Sequence, residues 1–176
     1  IQGMRPNTLP TNSLVGGAEC NGRVENPIRR VQGKARVYRH HVEQGIKEKM
    51  PDEAPIMAWM VRWAAELISK YSLGDDGRTP FERIRLESCA VPLVPFGENV
   101  MYLPPKTSSG SKGEPAKKSG VWLGTIERTE EAIIGTTRGI VKCRTVNRLA
   151  AHERWHTAVS EMHGLPWETI PGKVSM

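Results

Sequence analysis

Apolar side chains recur at Val24, Ile28, Val31, Ala35, Tyr38, Val42 and Ile46, in steps of three and four residues. That spacing places them on one stripe of a long amphipathic helix. Asn26-Pro27 is suited to open the helix, although Pro27 would also be tolerated in the first turn of one begun slightly earlier; Pro51 is suited to end it, because proline lacks the N–H a helix interior needs. A second helix is expected from about Pro55 to Tyr71, with Met57, Met60, Val61, Ala64, Leu67 and Ile68 facing inward. Gly74-Asp75-Asp76-Gly77 reads as a turn. Thr79-Pro80-Phe81-Glu82 then starts a short third helix, with Thr79 as N-cap, Pro80 at the first position and Glu82 closing a capping box.

After Cys89 the pattern changes. The stretch Val91–Leu103 mixes β-branched and aromatic residues with Pro92, Pro95 and Gly97, as a strand with irregular ends does. Residues 104–120 are rich in Pro, Lys, Ser and Gly and read as a projecting loop. Strands are expected at Val121–Arg128, Ala132–Thr137 and Gly139–Val146, and one more helix near Ala150–Met162. The fold class is therefore α+β, with helices first and a small antiparallel β-barrel second. The expected divisions are an irregular lead-in (1–18), a helical part (19–90), a barrel (91–149) and a short helix with a tail (150–176).

Composition narrows the function. No apolar run is long enough to span a membrane, and no signal-peptide pattern opens the chain, so neither a membrane nor secretion is expected. Beginning at Ile1 rather than Met, the chain reads as a piece of a longer protein. Cys20, Cys89 and Cys143 are odd in number and lack a Cys-x-x-Cys, which points to an intracellular, reducing setting. The net charge is +6; residues 23–49 carry +5 and 101–120 carry +3, while the rest of the chain is net negative at −2. Two basic segments point to a polyanionic partner, most simply nucleic acid; a solvated helix face and a solubilising loop would give the same count.

The first helix sharpens that reading. At about 100° per residue, Glu25, Arg29, Gln32, Arg36, Arg39 and Glu43 fall within about 40° of one line, off the apolar stripe. A carboxylate at the helix start followed by guanidinium groups suits metal-dependent phosphodiester chemistry, since carboxylates bind divalent ions and guanidinium groups hold phosphates in pairs of bonds. A surface Glu25–Arg29 pair at i, i+4 is the simpler alternative. Arg23, Lys117 and Lys118 complete the candidate DNA contacts, within a basic loop that also holds Lys106 and Lys112. Trp59, Trp63 and Trp122 are read as core rather than base-stacking platforms, and His40-His41 as polar helix surface.

Asn21-Gly22-Arg23-Val24-Glu25, followed by a basic helix, resembles the Asn-Gly-x-x-Glu segment of retroviral-type integrases. Ala58-Trp59, Thr79-Pro80-Phe81-Glu82, Phe96-Gly97 with Val100 and Tyr102, and Gly120-Val121-Trp122-Leu123-Gly124 follow in the order seen in copia-type retrotransposon polyproteins. The resemblance covers roughly residues 8–149. It implies that the helices are the back half of an RNase H-like integrase core whose sheet is missing, and that the barrel is an SH3-like DNA-binding module. It further implies that Glu25 is the last carboxylate of an Asp-Asp-Glu triad holding Mg²⁺, with Arg29 and Gln32 approaching DNA ends, in a full-length protein that is oligomeric and nuclear. The chain has no Asp before Asp52, so both triad aspartates are absent, as is a zinc-binding His/His/Cys/Cys domain. Pro27 is also unusual for the catalytic helix. The chain alone is expected to be catalytically inactive, as an integrase fragment or a decayed or domesticated remnant that binds nucleic acid.

A competing motif is His152-Glu153-Arg154-Trp155-His156, which matches the H-E-x-x-H zinc-peptidase pattern with Glu153 as base. The charged Arg154 and the nonstandard spacing of the third-ligand candidates, His163 and Glu168, weigh against it, so zinc is not expected.

Overall fold

The first apolar stripe becomes α1 (Gly22–Ile46). It starts ahead of Asn26-Pro27, so Pro27 lies inside the helix and withholds one i→i−4 donor. The helix stops before Lys49, because Lys47 turns the chain with φ 59°, and Pro51 comes too late to be its terminator. The computed structural model describes residues 22–89, 94–105, 116–127, 129–155 and 159–168, without the side chains of Arg23 and Val24. The expected lead-in and the 106–115 part of the basic loop lie outside the described residues.

The second helix, α2 (Pro55–Tyr71), has the expected bounds, and Met57, Met60, Ala64 and Leu67 face the core as expected, but the buried face is rotated away from Val61 toward Trp59 and Trp63. Ile56, Trp59, Met60, Trp63 and Ala64 are buried, whereas Val61 is 51% exposed. The tryptophans set this rotation: Trp63 meets Trp122 of the sheet edge-to-face, with ring centroids 4.8 Å apart, and Val61 falls outside the arc they bury. The third helix, α3 (Pro80–Arg85), carries the expected capping box: Thr79 Oγ1 accepts from Glu82 N, and Glu82 Oε2 accepts from Thr79 N.

The β-region consists of β1 (Asn99–Tyr102), β2 (Lys118–Thr125), β3 (Ala132–Thr136), β4 (Gly139–Cys143) and β5 (Val146–Arg148). All pairings are antiparallel, in the order β4-β3-β2-β1-β5. The run expected as one strand over Gly139–Val146 is thus divided between opposite edges of the sheet. Those edges would be about 19 Å apart in a flat sheet. The Arg144–Thr145 link spans at most about 10 Å, so the sheet must curl strongly, as a small barrel does. A bulge between Trp122 and Gly124 adds to the curl. Gly124 adopts φ 130°, and a Cβ there would lie 3.1 Å from the Trp63 ring.

One hydrophobic core joins helices and sheet. Val42, Ile56, Trp59 and Trp63 share a cluster with Phe96, Val100, Trp122 and Ile134, across the division expected near residue 90. The chain after β5 ties the layers together. Arg154 O accepts from Asn99 N at 2.7 Å, Trp155 lies edge-on to His41 of α1, and Gly164 O accepts from Trp59 Nε1 at 2.8 Å. The expected helix over 150–162 is not formed: a 3-10 turn, Ala151–Glu153, is followed by non-helical chain at Arg154 and Trp155. Residues 156–158 lie outside the described residues. The long-range contacts to α1, α2 and β1 override the local helical pattern, because each needs its own backbone direction.

Candidate nucleic-acid interface

The N-terminal half of α1 stands clear of the core. Every described side chain from Glu25 to Arg30 is exposed; Val31 is half-buried, and contact with the core begins at Ala35, Tyr38 and Val42. Arg29, Gln32 and Arg36 are exposed on one face, and among the described residues neither arginine has an ion-pair partner. Glu25 lies exposed in the first turn, where its charge also favours the helix N-terminus. The simpler expectation, a Glu25–Arg29 pair, does not occur among the described ion pairs. Arg23, as a side chain, lies outside the described residues.

Arg39, expected on the same face, is held internally. Its Nε donates to Glu43 Oε1 at 3.0 Å and its Nη2 to Met50 O at 2.8 Å, while Nη1 pairs with Asp52 Oδ1. Glu43 also accepts from Met50 N at 3.1 Å and Lys49 Nζ at 3.2 Å. The group clamps the turn between α1 and α2. The Arg39 hydrogen bond, then the Met50 N–H, hold the Glu43 carboxyl down at about 2. A carboxyl depressed in the folded state stabilises the fold above its unfolded pKa near 4.5, and that stability is lost as pH falls toward 2. Acid titration followed by circular dichroism is therefore expected to show helix loss within that window, and Glu43→Gln to remove this part of the pH dependence.

On the β-side, Lys117 is exposed, and Lys118 begins β2 half-buried. Arg138 and Lys142 are exposed on the β3–β4 hairpin. Arg148 is engaged elsewhere: its Nε and Nη2 each donate at 2.8 Å to Glu98, whose side chain is 1% exposed, and Arg154 Nε lies 3.3 Å from the same carboxylate. Sequence reasoning missed this centre, because a Glu after Phe96-Gly97 carries no sign that two distant arginines will cover it.

The zinc-peptidase geometry loses its helix. His152 lies in the three-residue 3-10 turn with a largely exposed side chain, His163 is exposed, and Glu168 accepts from Leu165 N. His156 lies outside the described residues. Among the described residues no three His, Cys, Asp or Glu side chains come together as a metal site would require. Cys89 and Cys143 are free thiols; Cys143 is buried, which pushes its thiol up to about 11. Among the described residues no helix is long and apolar enough to cross a membrane. No known protein family, curated protein or solved structure matches the chain.

Proposed function

We propose that the chain is a nucleic-acid-binding part of a copia-type integrase, gripping the phosphate backbone through the exposed face of α1. The observation that carries this reading is the contrast among its arginines. Arg39 and Arg148 are held by carboxylates, while Arg29 and Arg36, two turns apart on α1 and both exposed, have no acidic partner among the described residues. Two exposed guanidinium groups on one helix face favour phosphate oxygens, with Gln32 between them as a further donor. The order of the elements supports the same reading. A helix with Glu25 at its start, a tryptophan-bearing helix, a capped short helix and a strongly curled sheet follow as the resemblance implies.

In this reading Glu25 is one of three carboxylates of the complete integrase. One exposed carboxylate does not hold two divalent ions, so the residues present do not fit the Mg²⁺ pair, and this chain's own part is to hold DNA. Binding to a short fluorescent duplex, followed by anisotropy over a salt series from about 50 to 200 mM, tests the reading. Weak binding with little sequence preference and a steep loss with salt is expected. Undetectable or salt-insensitive binding would overturn it.

A further inference from the structure

A second face of α1, about 100° round the helix from Arg29 and Arg36, has a different chemistry. Arg30, Gly33, Lys34, Val37 and Tyr38 line an open groove of about 370 Å³ against Ile68 of α2. Val37 is 65% exposed, so one wall presents apolar surface to solvent. Arg30 and Lys34 flank it at i, i+4, and neither has an ion-pair partner among the described residues.

The groove contains a helix-interior glycine that packing among the described residues does not explain. At Gly45 on the same helix, a Cβ would lie 2.3 Å from Trp155 Cδ2, so close packing requires glycine there. At Gly33 a Cβ would meet nothing within 4 Å. Glycine is less favourable than alanine in a helix interior, and here no contact among the described residues compensates. An outside group approaching the backbone closely gives Gly33 a role.

We propose that this groove docks an acidic peptide segment of a partner protein, with an apolar side chain against Val37 and Ile68 and carboxylates on Arg30 and Lys34. The charge complementarity selects the acid, and the apolar wall selects a peptide over a phosphate backbone, which has nothing to place there. A second copy docking through the same face would bring Arg30 and Lys34 against their own counterparts, a like-charge contact.

The test uses the whole chain and a random peptide-display library, selected in parallel on the wild type and on Gly33→Leu. The leucine adds no charge, improves helix propensity and fills the groove; retained circular dichroism verifies folding, and Val37→Asp serves as a second variant. Acidic peptides with an apolar anchor are expected to enrich on the wild type, and a synthetic copy of one to lose at least tenfold in affinity on Gly33→Leu or Val37→Asp. Duplex binding and its salt slope should be unchanged by Gly33→Leu, so a failure of the DNA reading leaves the peptide result readable. Four results would overturn the proposal: no enrichment, enrichment of neutral or basic peptides, equal affinity for the groove variants, or a wild-type dimer that Gly33→Leu dissociates. Equal loss of duplex and peptide binding would also overturn it, by assigning the groove to DNA.

Discussion

Trp59→Ala is expected to destabilise the chain by about 3–5 kcal/mol, the range for truncating a buried aromatic residue. Trp59 is 1% exposed in the cluster that joins α2 to the sheet, and its Nε1–H donates to Gly164 O across 105 positions of sequence. Truncation opens a cavity between the layers and also leaves the C-terminal segment without its anchor on α2. At roughly 2–4 °C per kcal/mol for a chain of this size, the melting midpoint should fall by about 6–20 °C. Trp59→Phe separates the two effects: it retains most of the ring's packing and loses the indole donor, an expected cost of about 1 kcal/mol. Hydrogen exchange should then report earlier opening near Gly164 than in β2 or β3. A midpoint unchanged in Trp59→Ala would mean that the helices and sheet do not share this core.

Arg148→Ala should produce the second large effect. It removes both hydrogen bonds that Arg148 makes to Glu98 and leaves a carboxylate whose side chain is 1% exposed with Arg154 alone, 3.3 Å away. Stranding a buried charge costs about 3–5 kcal/mol when nothing remains to cover it; the surviving Arg154 places this variant toward the lower end, about 3 kcal/mol. Adding Glu98→Met should recover much of that loss, because the penalty belongs to the unpaired charge rather than to the missing contact. Urea unfolding of the two single variants and the double variant measures the coupling directly. Additive losses would show that Arg148 acts through some contact other than Glu98.

The parts of the fold legible in the sequence are those set locally. The capping box at Thr79 and Glu82 involves residues three apart, and the bounds of α2 follow from Pro55 and one apolar face, so both are found where the pattern puts them. The strands around Trp122 and Ile134 were legible for the same reason, although the break at Arg144–Thr145 was not. That break depends on how far the whole sheet curls, which no five-residue window carries. The C-terminal segment reads as a helix because its local period is helical, yet its structure is dictated by Asn99, His41 and Trp59, all distant in sequence.

The candidate site divides in the same way. Helix spacing alone placed Arg29, Gln32 and Arg36 on an exposed face. The same spacing placed Arg39 and Glu43 there too, and it could not show that the chain at Lys49–Asp52 folds back to engage both. Arg30, Gly33 and Lys34 went unnoticed because a groove face is defined by the neighbouring helix, and Ile68 is 30 or more residues away in sequence. A glycine in the middle of a basic amphipathic helix was the one local sign.

The most direct test of the central claim compares salt dependence between the wild type and the Arg29→Ala/Arg36→Ala double variant on the same duplex. Each phosphate neutralised contributes about −0.9 to the slope of log affinity against log salt. If both arginines contact phosphates, the double variant should bind more weakly and its slope should be flatter by about 1.8, with circular dichroism and thermal midpoint preserved because both side chains are exposed. A double variant that folds normally and retains the wild-type slope would contradict the account.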